Sequence, residues 1–194
     1  MVYFCVKLNE MATTKQQLKI KQILEDIKSE DPKKVSKAIK SLESHGDASV
    51  IIPLAEALIS GLNRKNEEEI IELLSSLKDT SAVVEIMEVI GDSKFISIRP
   101  QILSVVWNTQ VDFSDYIDDF VEIAVTGNLM EAVECATIID NLEGPFMEEN
   151  MLECQLHLKN YLESGSQKDE HKAFLLSEIA IKIKDINEGL DAED

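Results

Sequence analysis

The chain has 194 residues, with 19 Lys and Arg against 37 Asp and Glu, and so a formal net charge of −18. Hydrophobic residues make up 44% and aromatics only 5%, which suits one domain of packed Leu, Ile, Val and Ala helices better than a sheet protein. The acidity argues against general affinity for phosphate backbones or anionic membranes. The longest uncharged run, residues 100–111, is well short of the ~18 to 20 apolar residues of a membrane span.

The opening stretch, Met1 to Glu10, differs in character from the rest of the chain. Its apolar run Val2 to Val6 is too short for a signal segment and has no basic flank before it. Residues 1–12 are therefore expected to be a tail, either disordered or an extension from an upstream start, with Met11 as the natural one. A single domain is expected over 13–187, and 188–194 should be a frayed acidic end. Between about Lys15 and Ile27, Leu18, Ile20, Ile23, Leu24 and Ile27 mark the apolar face of a leading helix that covers one end of a stack. Its Lys15, Lys19, Lys21 and Lys28 are expected to be solvated rather than a phosphate-binding strip, because no aromatic or Arg accompanies them.

The pattern of the chain is set by Asp31 to Leu58. Asp31 can cap a helix whose first position is Pro32, where a missing N–H costs nothing. Val35, Ala38, Ile39 and Leu42 then share one face. His45 and Gly46 end that helix and Asp47 can cap the next, in which Leu54, Ala57 and Leu58 share a face and Pro53 bends or delays the start. Helices this short cannot bury their stripes on each other alone.

Later segments repeat the unit. A shift of 32 places Asp47, Leu54, Glu56, Ala57 and Leu58 on Asp79, Ile86, Glu88, Val89 and Ile90. A further 34 reaches Phe120, Glu122, Ile123 and Ala124, and 31 more reaches Met151, Glu153 and Cys154 before the match breaks at Gln155. The first helices recur at Ile70, Leu73, Leu74 and Leu77, then around Ile102, Leu103 and Val106, then at Ala132, Cys135, Ala136 and Ile139. A period in the low thirties with two helices per repeat predicts an α-solenoid. A final helix, about His171 to Ile186, carries Phe174, Leu176, Ala180 and Ile183 and suits a closing cap. The expected fold is all-α, about ten helices in one right-handed stack: a leading helix, four hairpins and a closing helix.

Asp31-Pro32, Val35, Ala38, Leu42, Gly46-Asp47, Pro53-Leu54 and Ala57-Leu58 resemble a bacterial-type HEAT repeat. The likeness is specific in the first unit, weaker in later ones, and spans roughly residues 31–163. The Trp-x-x-Leu-Gly-x-x-Tyr pattern of tetratricopeptide repeats is missing. The resemblance implies a scaffold that binds other molecules and brings no catalytic residue with it. Alternatives within that resemblance are a HEAT-like enzyme, similar to the alkylpurine DNA glycosylases or the bilin lyases, and an obligate structural or assembly subunit. The glycosylase version would need a basic, aromatic-lined face, and the charge here is the opposite.

Chemistry is thin in the sequence. His45, His157 and His171 form no ligand pair, and no Gly-rich phosphate loop or nucleophile elbow occurs. Asp112, Asp115, Asp118 and Asp119 lack the spacing of a calcium loop and read as a solvated helix start. Cys5, Cys135 and Cys154 give neither zinc spacing nor a secreted disulfide framework, so a cytoplasmic protein without metal or cofactor is expected. Cys135 and Cys154 should approach each other across one hairpin as two small buried hydrophobes. Trp107 is expected to be partly buried packing rather than a binding hot spot.

Charge carries the functional expectation. Between Arg99 and Lys159 lie 59 residues with 12 acidic side chains and no Lys or Arg. Glu56, Glu88, Glu122 and Glu153 share one register, two residues and so about 200° from Leu54, Ile86, Phe120 and Met151. They are expected to form an acidic ladder with Glu85, Asp118, Asp119 and Glu149 on the second helices. The expected partner is a basic protein or peptide, not nucleic acid and not a membrane. The competing reading is solvation alone, since Glu is common at any exposed helical position.

Overall fold

A computed structural model describes residues 2–164 and 169–191; for 2–14, 45, 190 and 191 only the backbone is described. Among the described residues there are ten α-helices and no strand. The chain divides into two compact units, 1–98 and 99–194.

The first unit holds α1 (Val2–Ile27), α2 (Pro32–His45), α3 (Ile51–Ile59), α4 (Arg64–Ser75) and α5 (Ala82–Gly91), with 3-10 turns at Ala48–Val50 and Ser93–Phe95. Helix α1 lies against α2, α2 against α4, and α3 against α4 and α5. The second unit holds α6 (Arg99–Asn108), a 3-10 turn at Ser114–Tyr116, α7 (Ile117–Thr126), α8 (Leu129–Asn141), α9 (Glu148–Glu163) and α10 (Glu170–Asp191). There α6 packs on α8, α7 on α8 and α9, and α10 on α7, α8 and α9. In both units a helix is laid against its second neighbour along the chain. This buries stripes too narrow to be covered by one partner.

Local chemistry sets the element starts. Asp31, Asp47, Asp79, Asp92 and Asp112 each accept the backbone N–H two residues on, at 3.0, 3.1, 2.9, 2.8 and 2.9 Å. These side chains satisfy donors that a helix start leaves without partners. Pro53 sits in the first turn of α3, where its missing N–H removes no helical bond, and a 3-10 turn precedes it. Gly46 ends α2 in an extended conformation, its N–H on Leu42 O at 2.7 Å. A Cβ there would stand 2.8 Å from that same oxygen, so glycine is fixed by close approach.

The core register follows the repeat. Leu54, Ile86, Phe120 and Met151 are buried to 0%, 1%, 0% and 0% exposure. Each fully buried side chain of this size contributes ~1.5–3 kcal/mol before ordering costs are subtracted. Four expectations need correction. Leu18 is exposed, and among the described side chains of α1 the buried ones are Ile20, Ile23 and Ile27. Phe174 is also exposed, because the seam of α10 is Leu176, Ile179 and Ile183, at steps of three and four that place position 174 off the face. The first helix begins at Val2, well ahead of Lys15, and the last runs to Asp191 rather than Ile186. Residues 165–168 of the expected polar connection and 192–194 of the acidic end lie outside the described residues.

A buried polar node joins α2 to α4. Asn66 has no exposed surface, and its Nδ2 donates to Ser36 Oγ at 2.9 Å, Glu69 Oε2 at 2.9 Å and Pro32 O at 3.3 Å. Ser36 Oγ also donates to Glu69 Oε2 at 2.5 Å. Asn66→Leu should therefore cost about 1–3 kcal/mol by leaving Glu69 and Ser36 short of partners. A urea melt showing no loss would contradict that role.

Candidate functional site

Charge is divided unequally between the units. Residues 1–98 hold 13 basic and 16 acidic side chains, net −3, while 99–194 hold 6 basic and 21 acidic, net −15. The acidic candidates are divided too: Glu56, Glu85 and Glu88 belong to the first unit, and Asp118, Asp119, Glu122, Glu149 and Glu153 to the second.

In the first unit Glu56 and Glu88 are exposed on the neighbouring helices α3 and α5, and Glu85 is half-buried. Lys94 Nζ donates to Glu56 Oε1 at 2.6 Å. That hydrogen bond, with the Lys94 charge and a weaker pull from Lys28, holds the Glu56 carboxyl below its usual range. Glu56 also lines a cleft of about 390 Å³ with Lys21, Glu25 and Lys28. Glu56 is thus neutralised by a cation, whereas no ion pair involves Glu85 or Glu88 among the described residues.

The second unit is different. Helices α7 and α9 pack together, and Asn150 Nδ2 of α9 donates to Asp115 O, in the 3-10 turn that leads into α7, at 2.7 Å. On α7 Asp118 and Asp119 are half-buried and Glu122 is exposed, while Glu149 and Glu153 are exposed on α9. The Asp119 carboxyl is pushed above its ordinary value by burial first, then by the charges of Asp118 and Glu122; His157 opposes them. Its charged form is thus less favoured folded than unfolded. The unfavourable contribution is absent below the ordinary Asp value of 3.8 and develops as pH rises through the raised folded value. Asp119→Asn should raise the melting temperature at pH 7, and the gain should vanish as pH falls to about 3. Paired thermal melts at the two pH values test it, and equal melting temperatures at pH 7 would refute the crowding of charge.

The other candidates have plainer roles. Asp112 is a turn cap, accepting from Ser114 N at 2.9 Å and Ser114 Oγ at 2.6 Å. Cys135 and Cys154 are free and buried. Burial pushes both thiols up, that of Cys154 to about 12, so neither offers a thiolate. Trp107 keeps 40% of its surface exposed and donates its Nε1–H to Glu134 Oε2 at 2.9 Å. His157 is half-buried and His171 exposed; the side chain of His45 lies outside the described residues. Among the described residues no group of three His, Cys, Asp or Glu could hold a metal ion. No described helix is long and apolar enough to cross a membrane.

Two features escaped sequence reasoning. Glu131 is buried beside Arg99, although Asn128-x-x-Glu131 has the spacing of a capping box and could have marked it. Lys172 of α10 donates to Val125 O at 2.7 Å and Gly127 O at 2.5 Å, placing a cation on the C-terminal end of α7. Nothing local in sequence signals that second contact, which is long-range.

No protein-family model, curated protein or solved structure matches the chain.

Proposed function

We propose that the chain is a HEAT-like α-solenoid of four hairpins between two capping helices, acting as a non-enzymatic interaction module for a basic protein or peptide. Helix-on-second-neighbour packing supports the solenoid reading: α2 with α4 and α3 with α5, then α6 with α8 and α7 with α9. Within each unit first helix meets first helix and second helix meets second helix, as stacked hairpins require. Two buried free thiols suit a reducing cytoplasm.

The observation that carries the function is the α7–α9 surface. Asp118, Asp119, Glu122, Glu149 and Glu153 stand on two adjacent helices, and no carboxylate among them is in an ion pair with Lys or Arg among the described residues. Asp119 is raised by burial first and then by the charges of Asp118 and Glu122, so repulsion is present on α7 itself. A basic ligand relieves that repulsion on binding, which gives electrostatic recognition with a strong dependence on salt. The acidic surface thus lies on the second unit, with Glu56 contributing little.

A Lys- and Arg-rich peptide should bind the full chain at about 50 mM salt and be released by about 300 mM. Glu122→Lys with Glu153→Lys should weaken binding about tenfold or more while leaving the melting temperature nearly unchanged. Unchanged affinity in that double variant, measured by fluorescence anisotropy, would remove the surface from consideration.

A further inference from the structure

Helix α2 carries the opposite charge. Lys33, Lys37 and Lys40 recur at steps of four and three and fall within a 60° arc, opposite the buried Val35, Ala38, Ile39 and Leu42. Lys65, at the start of α4, joins them. The four lysines line a groove of about 560 Å³ together with Pro32, Ser36, Ser41 and Ser44. All four lysines are exposed.

Their partners are few. Lys65 Nζ lies 3.7 Å from Glu69 Oε1, and Lys40 acts on the same carboxylate through its charge. Among the described residues, neither Lys33 nor Lys37 is in an ion pair with a carboxylate. Lys34, which points off this arc, pairs instead with Asp26, at 2.9 Å. In a chain of net charge −18, four cations gathered on one groove with one half-buried carboxylate between them are not explained by solubility.

We infer that this groove is a binding site for an anion carrying two or more clustered phosphates. Lysine ammonium groups act as point charges suited to phosphate, whereas planar carboxylates favour the Arg fork, and the groove has no Arg. Lys33 and Lys40 are ~10 Å apart along the helix, a span that rewards several phosphates over one. No aromatic side chain lines the groove to stack a base, so single-stranded nucleic acid is disfavoured.

The probe is inorganic tripolyphosphate, titrated calorimetrically into the full chain at low salt. It should bind at one site, about tenfold or more tighter than monophosphate. Lys37→Glu with Lys40→Glu should lose about tenfold or more of that affinity, and the milder Lys37→Gln with Lys40→Gln a smaller part. Lys182→Glu with Lys184→Glu, an equal charge change on α10, should shift affinity less than about twofold. Sedimentation with vesicles bearing a bisphosphorylated inositol headgroup, against plain phosphatidylcholine, separates the sources. Selective vesicle binding assigns the phosphates to a lipid, and tripolyphosphate binding alone assigns them to a soluble ligand. Binding to neither probe would overturn the site, as would equal losses in the α2 and α10 variants. The α7–α9 charge reversal leaves this assay unaffected, so the two surfaces stand or fall separately.

Discussion

Phe120→Ala should cost about 3–5 kcal/mol, among the largest losses of any single core substitution in the chain. Phe120 has no exposed surface, and its ring meets Phe113 edge to face, with centroids 6.4 Å apart and planes at 61°. Truncation removes the transfer energy of a ring, leaves a cavity that rigid helices fill poorly, and strips Phe113 of its aromatic partner. Leu54→Ala, at the equivalent position of α3, should cost about 2–5 kcal/mol. Glu153→Ala, on the exposed face of α9, should cost less than about 0.5 kcal/mol. The chain offers a way to see where the damage falls, since Trp107 is its single tryptophan and lies in the second unit. Urea melts followed by Trp107 fluorescence should shift strongly for Phe120→Ala. If Leu54→Ala shifts the fluorescence transition as far, the two units unfold together; if only circular dichroism moves, they unfold separately. A Phe120→Ala melt that overlays the wild type would refute the register.

The features legible in the sequence arise from local rules. Asp31, Pro32 and Gly46 bound α2 because capping and proline geometry act within a few residues. Leu54, Ile86, Phe120 and Met151 could be aligned because a two-helix repeat returns the same core position about every 32 residues. The misjudged positions lie at the ends, where a helix has a neighbour on one side only. Leu18 and Phe174 are apolar yet exposed, and apolar identity alone cannot tell which flank of a terminal helix is covered. Of the candidate carboxylates, exposure was readable from the 200° offset, but the environment was not. Lys94 neutralises Glu56 from 38 positions away. Asp119 is raised first by burial, which only folding sets, while the charges that crowd it, Asp118 and Glu122, are its own neighbours on α7. The groove on α2 went unread in the sequence, since only folding brings Lys65 of α4 to the face that carries Lys33, Lys37 and Lys40.

Glu131→Ala should rank close behind, at roughly 3 kcal/mol, for a different reason. Glu131 is a charged residue in the interior, its side chain 4% exposed, with Oε1 3.1 Å from Arg99 Nε. The contact is a charge pair and not a hydrogen bond, because neither atom has a partner of hydrogen-bond geometry. Oε2 accepts the Asn128 N–H at 2.7 Å while Asn128 Oδ1 accepts the Glu131 N–H at 3.1 Å, which closes the start of α8. Truncation removes the cap, worth ~1 kcal/mol, and leaves the largely buried Arg99 guanidinium without its carboxylate. Gly127 belongs to the same arrangement: a Cβ there would lie 2.5 Å from Glu131 Oε2, so Gly127→Ala should displace the cap. Glu131→Gln keeps the acceptor for Asn128 and removes the charge, and should fall between wild type and Glu131→Ala. The decisive measurement is the cycle of Arg99→Ala, Glu131→Ala and the double variant. A coupling of about 1–3 kcal/mol is expected, little changed between low and high salt, because burial shields the pair from screening. Lys94 and Glu56, both half-exposed, should show under about 1 kcal/mol and lose it in salt. Additive Arg99 and Glu131 effects would mean that the pair contributes nothing beyond the cap. Arg99 is the last base before Lys159, and Glu131 draws it into the interior, where its charge does little to offset the carboxylates on the surface of α7 and α9.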